Sequence, residues 1–130
     1  MSRVAVIGGG PAGIMAAAAA ADCGHDSVLL EKNEKLGKKL FLTGKGRCNI
    51  TNSCDTDDFF ANIPRNPKFL YSALYGFSNT DIVELINANG VPTKVERGKR
   101  VFPESDKSSD VIKALTRHLN SSGAELRLNT

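Results

Sequence analysis

Four glycines within six residues, Gly8, Gly9, Gly10 and Gly13, constrain the fold of this chain more than any other feature. Before them runs Val4-Ala5-Val6-Ile7, a short β-branched stretch suited to a strand buried on both faces of a parallel sheet. After them come Ile14, Met15 and six alanines, Ala16 to Ala21, and alanine is the strongest helix former. Gly24 stands where a left-handed cap would end that helix. Ser27-Val28-Leu29-Leu30 reads as a second buried strand, with Glu31 at its C-terminal edge. Arg3, the apolar run and the alanines superficially resemble a signal peptide, but three consecutive glycines and Pro11 interrupt the apolar helix it would need.

Strand, glycine turn, helix, strand and carboxylate in this order give the spacing Gly8-x-Gly10-x-x-Gly13 its meaning as a dinucleotide fingerprint. Gly8 supplies the tight turn out of the strand. Gly10 removes a side chain where a pyrophosphate approaches the backbone, and Gly13 lets the helix pack close to the sheet. Pro11 suits the first helical turn, where its missing N–H costs nothing. The free amides and positive end of the helix dipole then face the diphosphate. Glu31 follows Gly13 by 18 positions, near the spacing of about 20 at which an acidic residue meets the adenosine ribose. Its charge disfavours the 2′-phosphate of NADP, and these residues alone leave FAD and NAD both open. A nucleotide-hydrolase phosphate loop is excluded, because Gly44-Lys45 is followed by Gly46 instead of Ser or Thr. Lys39 also stands where that motif requires glycine.

The chain has 130 residues, 41% of them hydrophobic, enough for one packed core and not two. Its 17 basic and 14 acidic residues leave a charge of +3, too small a surplus to argue for a nucleic-acid or membrane partner. No apolar run approaches the roughly 20 residues that span a bilayer. Three cysteines, Cys23, Cys48 and Cys54, cannot close a disulfide framework, which points to a reducing, cytoplasmic setting. His25 and His118 show no zinc spacing with them, so no metal is expected.

A second cluster begins after Glu31. Six of the 17 basic residues fall between positions 32 and 47, a run that solvation alone would explain. The stretch from Thr43 to Asn52 instead concentrates small and hydrogen-bonding residues around Arg47, a guanidinium able to fork onto a phosphate. Together, residues 4–13 (VAVIGGGPAG), Glu31-Lys32, residues 36–52 (LGKKLFLTGKGRCNITN) and Arg100-Val101-Phe102-Pro103 resemble one family of bacterial FAD/NAD(P)-dependent oxidoreductases. These are flavoproteins related to the 3-dehydro-bile-acid reductases and often labelled aminoacetone-oxidase-like. The resemblance runs across all 130 residues, and in that family such a stretch is the N-terminal part of a longer enzyme. It implies that Gly8, Gly10, Pro11, Ala12 and Gly13 bind the FAD pyrophosphate, with Glu31 and Lys32 at the adenosine. It further implies that Thr43, Gly44, Gly46, Arg47, Cys48 and Asn49 line the cofactor toward the flavin, with NADH or NADPH as reductant. A redox dithiol of Cys48 and Cys54 is the rival use of this region. Five residues separate them where disulfide reductases have four, and only Arg47 is near to lower a thiol pKa.

The remainder reads as an irregular stretch 53–66, helices Pro67–Phe77 and Thr80–Asn89, and a hairpin through Thr93–Glu96 and Lys99–Phe102 that Pro103 closes. A last helix runs from a cap at Ser108 or Ser109 to about Asn120, and Ala124–Leu128 is a final strand. The basic tip with Arg97, Lys99 and Arg100 is either solvated or a contact for an anionic substrate. The expected fold is therefore α/β: a Rossmann-type FAD-binding βαβ core, residues 1–32 and 106–130, interrupted by an inserted α+β segment, residues 33–105. Strands near 3–7, 27–31 and 124–129 would be neighbours in one parallel sheet. A three-stranded sheet cannot complete a dinucleotide crevice, so the domain reads as incomplete. The expected function is the FAD-binding region of an oxidoreductase acting on an unidentified small molecule, inactive by itself. A non-catalytic nucleotide-binding fragment and an NAD-dependent dehydrogenase domain are the alternatives, the latter opposed by Thr43 to Asn52.

Overall fold

A computed structural model describes residues 1–130. In chain order the elements are β1 (Arg3–Ile7), α1 (Pro11–Asp22), β2 (Asp26–Leu30), α2 (Lys38–Leu42), β3 (Thr51–Asn52), α3 (Thr56–Ala61), α4 (Tyr71–Gly76), α5 (Asn79–Ala88), β4 (Thr93–Glu96), β5 (Arg100–Pro103), α6 (Ser108–Ser122) and β6 (Glu125–Arg127). Two small sheets result. β1, β2 and β6 form a parallel sheet in the order β1-β2-β6, and β3, β5 and β4 form an antiparallel one in the order β3-β5-β4. The expected α/β core with an inserted α+β segment is thus the architecture observed.

Register explains where the core sits. Val6 lies opposite Leu29, and Leu29 opposite Leu126, so these three share one face of the parallel sheet. Against that face pack α1, through Ile14, Ala17 and Ala18, and α6, through Val111, Ala114, Leu115 and Leu119. Alanine at the α1–α6 crossing keeps side chains short and lets the two helices approach closely; Ala17, Ala18 and Ala114 are wholly buried. Burying a residue such as Leu119 stabilises the fold by about 1.5–3 kcal/mol. β1 departs from the expectation of burial on both faces: Ala5 and Ile7 are exposed, because both packed helices lie on the Val6 side.

Several boundaries differ for identifiable reasons. The stretch expected to be irregular contains α3, a six-residue helix whose Asp55 side chain accepts the Asp58 amide at 2.9 Å. The helix expected over 67–77 is split into a 3-10 turn, Pro67–Leu70, and α4, with Leu70 at φ −94°, ψ 0° between them. α5 begins at Asn79 because Ser78 and Asp81 cap it reciprocally. Neither Ser108 nor Ser109 caps α6. Ser108 is already helical, and its hydroxyl donates to the Phe41 carbonyl at 2.7 Å, tying α6 to α2.

Candidate functional site

The chain leaves β1 through Gly8, whose φ of +104° only glycine adopts readily. Gly9 is clamped next. Its amide donates to Glu31 Oε2 at 2.6 Å, and its carbonyl accepts the Gly37 amide at 2.9 Å. A Cβ on Gly9 would lie 2.4 Å from Leu36 and 2.9 Å from Glu31, so a side chain has no room there. A Cβ on Gly13 would lie 1.9 Å from the Gly8 carbonyl oxygen, the signature of a helix seated directly on the turn. Gly10 is the opposite case: nothing lies within 4 Å of its Cβ position.

Gly10 is the extended N-cap of α1, and no side chain caps the helix. Pro11 has no amide hydrogen, and the Gly10, Ala12 and Gly13 amides find no acceptor in the protein. No acidic residue occupies the first turn. A cleft of about 300 Å³ opens beside this turn, lined by Gly8, Gly9, Gly10, Glu31, Lys32, Asn33, Lys38 and Lys39 among others. Lys38 is paired with Glu34 at 2.9 Å, while Lys32 and Lys39 are exposed. Free amides, a helix dipole and two solvated cations around an open glycine make a donor set that fits a diphosphate.

Glu31 serves the turn as well as the cleft. Besides Gly9, its carboxylate accepts the Asn33 amide and the Asn33 side-chain Nδ2, both at 2.8 Å through Oε1. These bonds, the Asn33 and Gly9 amides foremost, hold the carboxyl below its usual pKa. Oε2 carries a single bond from the protein and keeps a lone pair for a hydroxyl donor, so the residue also fits a ribose.

Thr43, Gly44, Gly46, Arg47, Cys48 and Asn49 do not line this cleft. They form a separate left-handed turn beside β5, in which Gly44, Lys45, Gly46 and Cys48 all have positive φ. Thr43 donates its hydroxyl to the Leu40 carbonyl at 2.7 Å and accepts the Cys48 amide on its own carbonyl at 3.1 Å. Asn49 is exposed. Arg47 differs from the expectation of a guanidinium available to a phosphate: it is forked onto Asp106, paired with Glu96 and stacked on Phe102. Cys48 lies in the hydrophobic core, where burial pushes its thiol pKa up and away from the thiolate a redox dithiol needs. Gly9, Asn33, Lys38 and Lys39 line the cleft without a site role assigned from the sequence. Gly9 occupies the unspecified position of the fingerprint, and the lysines sat in a run that solvation alone explained.

Residues 2–130 match the family model described as the HI0933-like protein Rossmann domain. The chain belongs to that family. This is the FAD-binding flavoprotein family whose motifs Gly8–Gly13 and Thr43–Asn52 resemble. Over 121 residues it is 37% identical to a 3-dehydro-bile acid delta(4,6)-reductase of Clostridium scindens, covering 92% of this chain and 29% of that protein. Over 125 residues it is 29% identical to a ribosomal RNA dihydrouridine synthase of Escherichia coli, covering 96% of this chain and 30% of that protein. The crystal structure of Thermovibrio ammonificans THI4 shares the fold with a TM-score of 0.63 at 13% identity, over 97% of this chain and 38% of that one. The HI0933-like domain thus spans about 30% of the length of these curated relatives. No helix in it is long and apolar enough to cross a membrane.

Proposed function

We propose that this chain holds the ADP half of FAD for a cytoplasmic oxidoreductase that draws electrons from NADH or NADPH. The uncapped start of α1 beside the open Cβ position of Gly10 carries the reading. Amides of Gly10, Ala12 and Gly13 bind the diphosphate, Lys32 and Lys39 balance its charge, and Glu31 accepts a ribose hydroxyl. The 43–49 turn, with Thr43, Gly44, Gly46, Arg47, Cys48 and Asn49, borders the cofactor toward its flavin end. Bound flavin would supply the two-electron chemistry of the oxidoreductase. Titration of the full-length gene product with FAD, NAD and NADP tests this. Tight binding of FAD with a flavin absorption band supports it, and preference for NAD favours a dehydrogenase domain.

The small-molecule substrate is the first reading. An RNA substrate is a second, favoured by the hairpin tip, where Arg97, Lys99 and Arg100 are all exposed and none is in an ion pair with a carboxylate. Two relatives are named ribosomal RNA dihydrouridine synthases, so the expectation of no nucleic-acid partner is itself open to test. Salt-dependent binding of a ribosomal RNA fragment, weakened by Arg97→Ala with Lys99→Ala, supports the second reading. No binding at low salt rejects it.

A further inference from the structure

The 43–48 turn is unusual backbone. Gly44, Lys45 and Gly46 are consecutive left-handed residues, and Cys48 follows in the same region at φ +60°. Lys45 and Cys48 carry side chains, for which this conformation is disfavoured. Two amide bonds within the turn, from Arg47 to the Gly44 carbonyl and from Cys48 to the Thr43 carbonyl, both 3.1 Å, offset part of this cost, and contacts from outside the turn add to them.

Arg47 is the side chain placed to make those outside contacts. Its Nε and Nη2 donate to Asp106 Oδ1 at 2.9 and 2.7 Å, and Nη2 also donates to Glu96. The guanidinium carbon lies over the Phe102 ring, 4.1 Å from its centre. Lys94 completes the cluster, with Nζ 2.9 Å from Asp106 Oδ2 and 3.4 Å from Glu96 Oε2. One side chain thus ties the turn to the end of β4, to β5 and to the link between β5 and α6. Two cations face two carboxylates, so the cluster is neutral, and both carboxyls are held below their usual pKa by these partners. A phosphate approaching this guanidinium would meet two carboxylates already within bonding distance of it.

Because the 43–49 turn is read above as bordering FAD, we infer that Arg47 is a positioning residue of the cofactor site, locking that turn onto β4, β5 and Asp106 without itself contacting phosphate. Lysine cannot replace it, since an ammonium has neither the planar fork nor the stacking face.

The test uses the full-length gene product and two readouts: hydrogen exchange of the 43–50 amides without FAD, and the dissociation constant of FAD. The variants are Arg47→Lys, Phe102→Leu, which removes the stack, and Glu96→Gln with Asp106→Asn, which frees the guanidinium. Each should speed exchange at Arg47 and Cys48 and weaken FAD about tenfold, with thermal unfolding confirming a folded protein. Combining Arg47→Lys with the two carboxylate changes should add nothing further, because all break one lock. Unchanged or tighter FAD binding when the guanidinium is freed would overturn the inference, and tighter binding would make Arg47 a phosphate ligand. So would weaker FAD binding in Arg47→Lys with exchange unaltered. A wild-type protein that binds no FAD would refute the cofactor reading alone, and unchanged exchange in these variants would still refute the lock.

Discussion

Two alanine substitutions three residues apart should separate packing from ligand binding. In Gly13→Ala the new methyl would lie 1.9 Å from the Gly8 carbonyl oxygen, a backbone atom with no rotamer to escape into. Restoring contact distance requires α1 and the turn to part by at least about 1 Å, and overpacking of this kind costs about 3 kcal/mol. That corresponds to a fall in Tm of about 10 °C. In Gly10→Ala the methyl meets nothing within 4 Å, and the φ of −82° suits any residue. The poorer N-cap and the stiffer unfolded chain offset one another, so stability without cofactor should change by less than about 0.5 kcal/mol. On the proposed placement, the same methyl stands where the diphosphate approaches the free amides of α1. Losing one or two hydrogen bonds to a charged group, at about 1.5–3 kcal/mol each, should weaken FAD about 100-fold. Differential scanning calorimetry of the cofactor-free protein and fluorescence titration with FAD read the two effects. Retention of FAD within threefold in Gly10→Ala would refute the placement of the diphosphate, and an unchanged Tm in Gly13→Ala would refute the packing of α1 on Gly8.

Glu31, Glu96 and Asp106 all have carboxyl pKa values below the usual range. Each therefore contributes stability that is complete above the unfolded carboxyl pKa and is lost as pH falls through the folded one. Urea unfolding should give a level stability from pH 7 to about pH 5 and a decline below about pH 4, with a shallower acid limb in Glu31→Gln. Native iodoacetamide labelling at pH 8 should modify exposed Cys23 and leave buried Cys48 intact, as peptide mass spectrometry would show. Leu119→Ala, at a wholly buried position between α6 and the sheet, should cost about 3 kcal/mol in the same urea experiment.

The elements legible in the sequence are those with strong local signals. β1, α1 and β2 follow from an apolar tetrapeptide, a glycine turn and an alanine run. α6 follows from Val111, Leu115 and Leu119 at helical spacing, ended by Gly123 in the left-handed conformation. The two-residue β3 was invisible because its existence depends on pairing with β5, fifty positions away in sequence, and no period fits two residues. α2 and α3 are one to two turns long, too short for an amphipathic pattern, and arise from Gly37 and Asp55 at their starts. At the site, the fingerprint points to Gly8, Gly10 and Gly13, yet Gly9 is clamped as well, by Glu31, Leu36 and Gly37 arriving from elsewhere. Arg47 shows the same limit. Its residue type suggests a phosphate, and only tertiary structure reveals that Glu96 and Asp106, 49 and 59 positions away, already hold it.

A crystal structure of the full-length gene product with FAD bound tests the central claim most directly. Diphosphate oxygens should lie about 2.7–3.2 Å from the Ala12 and Gly13 amides, over the bare Cα of Gly10, with a ribose hydroxyl on Glu31. FAD bound in another part of the molecule, with the start of α1 facing only solvent, would contradict it.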